Sequence, residues 1–191
     1  MATQKELVAV VADQMGIPIE TVTVIDRYLA EAGLRTRAAR GRGNTPMTYQ
    51  DAANLIIATA WEANPKDAVS IVNKFRRLQI WRVKEMAFID PEFFGKTFGE
   101  ALDNAIEAVP DSREAFSVSD NDPRHMSITV TMYTGLETKA DIQLVKDGRP
   151  HTFEFHFPNE RTDIRDLRRT VQFTQITLGY VGEAIAEGFS K

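Results

Sequence analysis

Apolar residues in the first part of the chain recur at helical spacing. Between residues 4 and 15, Leu7, Val8, Val11, Ala12 and Met15 make one stripe, which predicts an amphipathic helix. Gly16 follows, the residue best suited to a left-handed helix end. Pro18 then suits the first turn of a second helix, where its missing N–H is no loss. That helix is expected to carry Val22, Ile25, Leu29 and Ala32 inward and to end at Gly33. Two helices joined by a short glycine-containing turn make a helix-turn-helix unit. Ala12, four residues before Gly16, falls where the helices would cross, and Ile17 would plug the turn. Glu20, Thr21, Thr23, Asp26, Arg27 and Glu31 are left for the exposed face of the second helix.

The helical period continues to about residue 109. Thr48, with Asp51 three residues on, is an N-cap candidate for an apolar helix carrying Ala52, Leu55, Ile56, Thr59 and Ala60. Asn64-Pro65 breaks it, and a further helix over 65–78 places Ala68, Val69, Val72 and Phe75 inward. Lys74, Arg76 and Arg77 near its end complement the helix dipole, the alternative role being a second contact to a nucleic-acid backbone. Residues 81–96 are aromatic-rich and read as a linker, followed by a helix over 97–109 stopped at Pro110-Asp111-Ser112.

From residue 126 the period changes to alternation. Residues 126–132 place Ile128, Val130 and Met132 on one face. Two more strands, 140–145 and 152–157, flank Asp147-Gly148, a hairpin signal. In the second of these, Phe153, Phe155 and Phe157 oppose Glu154 and His156. A fourth strand over 170–174 precedes a closing helix over 177–189. The expected fold class is α+β. A helical, winged helix-turn-helix domain (1–80) and the linker (81–96) precede a small antiparallel-sheet α+β domain (97–191) serving oligomerisation, sensing or partner binding.

Charge sharpens this division. The net charge of −4 over 191 residues conceals a split: residues 1–84 carry 12 Lys/Arg against 8 Asp/Glu, a net of +4, and the remainder a net of −8. Arg35, Arg37, Arg40 and Arg42 lie within eight residues with no acid among them. Such asymmetry suits a nucleic-acid-facing part joined to an acidic part with another role. The absence of cysteine excludes disulfides and thiolate chemistry. No apolar run approaches a membrane span and the N-terminus lacks a secretory pattern, so a cytoplasmic protein without membrane association is expected.

The segment VADQMGIPIETVTVIDRYL resembles the helix-turn-helix of bacterial and phage regulators, and EAGLRTRAARGRG resembles the end of a recognition helix followed by a basic wing. The helix pair, the RGRG run and the Asp-Ala-Ala helix together are similar to small regulatory proteins of prophages and gene transfer agents of alphaproteobacteria. A helix after the arginine-rich loop, where winged proteins more often place a strand, departs from that pattern. The resemblance implies that the second helix enters the major groove and the wing meets backbone or minor groove. On this reading Thr21, Thr23 and Arg27 reach base edges, while Arg35, Arg37, Arg40 and Arg42 neutralise phosphates.

Other chemistry is sparse. His151 and His156 point to opposite faces of one strand, and Glu154 with His156 falls short of a zinc ligand set. Gly41-Arg42-Gly43 lacks the Lys-Ser/Thr of a nucleotide-binding loop. No catalytic residue, metal or cofactor is expected. The function expected is duplex DNA binding as a transcriptional regulator of a phage-like or mobile element. Its partners would be DNA, a second copy in a homodimer, and the transcription machinery through the acidic half. The alternatives are a DNA-packaging recognition subunit or recombination accessory protein, and a protein–protein adaptor.

Overall fold

The computed structural model describes residues 2–37, 45–61, 64–84, 94–117, 125–134, 137–157 and 169–187. The first helix, α1 (Gln4–Met15), opens on a capping box in which Thr3 and Glu6 satisfy one another's backbone N–H. It closes at Gly16 with φ 65°, and the Ile17 N–H returns to the Ala12 carbonyl at 3.0 Å. Ala12 is buried at this turn. Pro18 directly precedes the second helix, α2 (Ile19–Glu31), as its N-cap.

Val22, Ile25 and Leu29 are fully buried, as their spacing requires, whereas two neighbouring expectations need correction. Ala32, assigned to the inner face, is exposed because α2 ends one residue earlier and the chain turns away at Gly33, φ 75°. Asp26, assigned to the exposed face, is buried. It lies four residues after Val22 and three before Leu29, on the same stripe.

The third helix, α3 (Tyr49–Ala60), starts at the Thr48–Asp51 capping box that the sequence indicates. Every residue from Asp51 to Ala60 is buried, because α1, α2, α4 (Ala68–Arg76), α5 (Phe98–Ala108) and α7 (Gln175–Glu187) all pack on α3. A helix apolar all round belongs at the centre of such an arrangement. The expected helix over 65–78 begins as a 3₁₀ turn, Pro65–Asp67, continues as α4 and leads into a strand. A second 3₁₀ turn, Pro110–Ser112, joins α5 to the short α6 (Arg113–Ser117).

That strand, β1 (Gln79–Lys84), occupies the start of the segment read as a linker. With β2 (Met126–Thr134), β3 (Lys139–Lys146), β4 (Arg149–His156) and β5 (Arg169–Thr174) it forms an antiparallel sheet of order β1-β4-β3-β2-β5. Asp147 and Gly148 join β3 to β4 with φ of 52° and 69°, the two positive values a type I′ turn demands. Ile128, Val130, Met132, Ile142, Phe153 and Phe155 face the helices, while Thr129, Gln143 and Glu154 lie on the opposite face.

Helices and sheet share one hydrophobic cluster. A line of rings crosses it: Trp61 stacks on Phe75 at 5.6 Å, Phe75 meets Phe98 at 6.3 Å, and Phe98 meets Phe155 edge-on at 5.5 Å. No helix among the described residues is long and apolar enough to cross a membrane.

Candidate nucleic-acid interface

The polar residues at the end of α2 fix the segment that leads into the arginine-rich run. Asp26, buried within α2, receives a hydrogen bond from the Gln4 amide at 2.9 Å, and its Oδ1 lies 2.9 Å from Arg35 Nε. Burial pushes the Asp26 carboxyl above the usual range, with Arg35 and Gln4 opposing. The Leu34 carbonyl accepts from the buried Asn54 amide at 2.6 Å, and the Thr36 N–H donates to Asp51 Oδ1 at 2.7 Å. Asp51 therefore serves twice, capping α3 with one oxygen and holding residue 36 with the other.

This anchoring divides the arginine cluster. Arg35 is turned inward, its side chain only 14% exposed, and donates to the Thr36 carbonyl as well as pairing with Asp26. Arg37 folds back over the end of α2, donating from Nε to the Ala30 carbonyl at 2.7 Å and from Nη2 to the Glu31 carbonyl at 2.8 Å. A cation there satisfies terminal carbonyls and complements the helix dipole. Arg37 nevertheless remains on the surface. Arg40 and Arg42, with the Gly41–Gly43 stretch of the expected wing, lie outside the described residues.

On α2 itself, Thr23 is exposed and donates its hydroxyl to the Ile19 carbonyl at 2.7 Å, whereas Thr21 is half-buried in the first turn. Arg27 is exposed, 5.8 Å above the Tyr28 ring and 3.8 Å from Glu31. That ion pair is loose, and pairs of such exposure contribute little. Thr23, Arg27, Ala30 and Glu31 border a concavity of about 540 Å³ whose other walls are Gln4, Asp26, Arg35 and Arg37. The structure thus brings Thr23, Arg27, Arg35 and Arg37 to one surface, with Arg35 at its floor and Thr21 away from it.

Sequence reading missed the anchors. Asp26 betrays itself by stripe position, and Asn54 by being the one amide in AANLIIATA, but their partners Arg35 and Leu34 are loop residues with no periodic signal. Elsewhere the sheet face turned away from the helices collects Lys84, Glu154, Asp141, Tyr133 and Lys139, where burial raises the Asp141 carboxyl against the opposing Tyr133 hydrogen bond and Lys139. His156 pairs with Glu137 at 3.2 Å on that face, while His151 is buried on the other. No group of three or more His, Asp or Glu among the described residues is placed to hold a metal.

The molecule is thus an α+β protein whose helical half presents an α1–turn–α2 pair beside a basic segment. No protein-family model, curated protein or solved structure matches the chain.

Proposed function

We propose that the protein binds duplex DNA through α2 and the basic segment that follows it, acting as a transcriptional regulator of the helix-turn-helix type. The observation that carries this reading is the way α2 is held. One stripe, Val22, Asp26 and Leu29, is buried and pinned, which leaves Thr23 and Arg27 on a fixed outward row with Arg37 at its C-terminal end. A rigid helix with a guanidinium on its outer row is the element that reads base edges from the major groove. The net +4 of residues 1–84 supplies attraction to phosphates irrespective of sequence. Glu20 and Glu31 on the same helix oppose it, so affinity rests on the segment after α2 and discrimination on Arg27.

Arg27→Ala separates the two contributions. The probes are a duplex enriched by selection from a random library with the wild-type protein and a scrambled duplex of equal composition, titrated at one salt concentration. A bidentate arginine–guanine contact is worth about 1–3 kcal/mol of discrimination. The variant is expected to lose that preference while its affinity for the scrambled duplex falls only slightly. An unchanged ratio would leave Arg27 as a partner of Glu31 and nothing more.

A further inference from the structure

The two edges of the sheet are treated differently. At the β1 edge the register breaks in a bulge between Ile80 and Arg82, the strand carries Arg82 and Lys84, and its start is covered by residues 96–98 through the Ile80 N–H to Lys96 carbonyl bond and the Gln79–Thr97 bridge. Bulges, charges and covering loops are how proteins blunt an edge against further pairing. The β5 edge has neither a bulge nor a covering loop among the described residues. Its register with β2 is unbroken from Arg169 to Thr174, it holds no proline, and its one charge is at its first residue.

An open groove of about 660 Å³ runs along β5, with Met15 and Ile17 on one wall and Thr59 and Trp61 on another. Thr59 Oγ1 and Trp61 Nε1 in that wall are buried without a hydrogen-bond partner among the described residues. Ile176, 59% exposed, stands at the lip. The edge is therefore unbroken in register, charged only at Arg169, bordered by apolar side chains and unoccupied by the described chain.

We infer that this edge pairs with a second copy of the chain, two β5 strands joining antiparallel about a twofold axis through Gln172. The strand is self-complementary in that register. Directly opposed residues in an antiparallel pair share a face. Gln172 then meets Gln172 of the second copy, Thr170 meets Thr174, and Val171 meets Phe173 on the core side, where both already pack against the hydrophobic cluster. Arg169 falls outside the paired stretch, because the residue opposite it, Gln175, already belongs to α7. Sliding the register two residues toward the start of β5 sets Arg169 against Phe173, and sliding it the other way shortens the ladder. The result is one ten-stranded sheet across the dimer, an isologous interface of the kind closed dimers use. This inference stands independently of DNA binding.

Sedimentation equilibrium of the full chain tests it. The wild type should show a dimer of twice 21.5 kDa at roughly micromolar concentrations and above. Gln172→Lys and Gln172→Glu each place like charges face to face at the axis, and each should weaken association about fivefold, the size of one cross-strand pair. An equimolar mixture of the two sets Lys opposite Glu and should recover wild-type association, which also shows that both variants are folded. Both lose the 3.3 Å bond from Gln172 to Thr131, so that loss cannot mimic the recovery. A wild type that stays at monomer mass at all concentrations overturns the inference and leaves the edge to an extended segment of another protein. A dimer indifferent to charge at position 172 overturns it equally.

Discussion

Replacing Arg35 with alanine should destabilise the protein by about 3–5 kcal/mol at neutral pH, the usual cost of removing one partner from a buried ion pair. Asp26 keeps its carboxylate in a site where its side chain is 3% exposed, with only Gln4 left to bond it. The loss should also depend on pH. Burial already raises the Asp26 carboxyl in the folded state, and Arg35 opposes that rise. Without Arg35 the folded-state value climbs further above the unfolded one of about 4. A raised folded-state value makes the folded protein hold a proton that the unfolded chain has released. The linked stability is therefore fully present below the unfolded value and lost as pH rises through the folded one.

Arg35→Ala should accordingly recover part of its deficit between pH 7 and pH 5, and Arg35→Ala with Asp26→Asn should recover more at pH 7. Urea denaturation of the three proteins at both pH values measures this. A cost under about 1 kcal/mol at pH 7, within the range of surface pairs, contradicts the buried geometry. The same result bears on DNA: a loss of binding by an Arg35 variant reports on the end of α2, and carries no information on phosphate contact.

The second large effect sets two glycines of one helix against each other. A Cβ at Gly182 of α7 would lie 2.2 Å from the Ile106 carbonyl oxygen and 2.7 Å from Pro110 Cγ, so α7 and α5 could not keep their present separation. At Gly179 the nearest atom, Val109 Cγ1, is at 3.5 Å, an ordinary contact. Alanine ordinarily stabilises a helix interior by roughly 0.5–1 kcal/mol relative to glycine. Gly179→Ala should therefore raise the melting temperature, whereas Gly182→Ala should lower it through an overpacking cost of about 1–3 kcal/mol. Equal shifts of the same sign would contradict the close crossing.

Much of this architecture was legible from local chemistry. The Thr48–Asp51 cap, the Gly16 turn, the alternation from Ile128 to Met132 and the Asp147-Gly148 hairpin are short-range signals, and each element formed where its signal lies. What escaped depends on partners distant in sequence. β1 was hidden because its bulge at Trp81 breaks the alternation and its partner β4 lies some 70 residues on. Trp81 is itself 65% exposed, against the habit of its residue type. Asp26 was misplaced because a carboxylate on a buried stripe is credible only once Arg35 and Gln4 are seen to converge on it. For the same reason a run of arginines read as one electrostatic unit divides in space, Arg35 holding the fold and Arg37 closing a helix on the surface.

The claim on which this account turns is that the basic segment after α2 meets the DNA backbone, and the salt dependence of duplex binding tests it most directly. Wild type should bind a random-sequence duplex with an affinity that falls linearly in log–log form as salt rises. Arg40→Ala with Arg42→Ala should both weaken binding and reduce the slope by roughly 0.9 for each arginine removed. Binding that is absent or independent of salt, or a slope that the double variant leaves unchanged, would contradict the account.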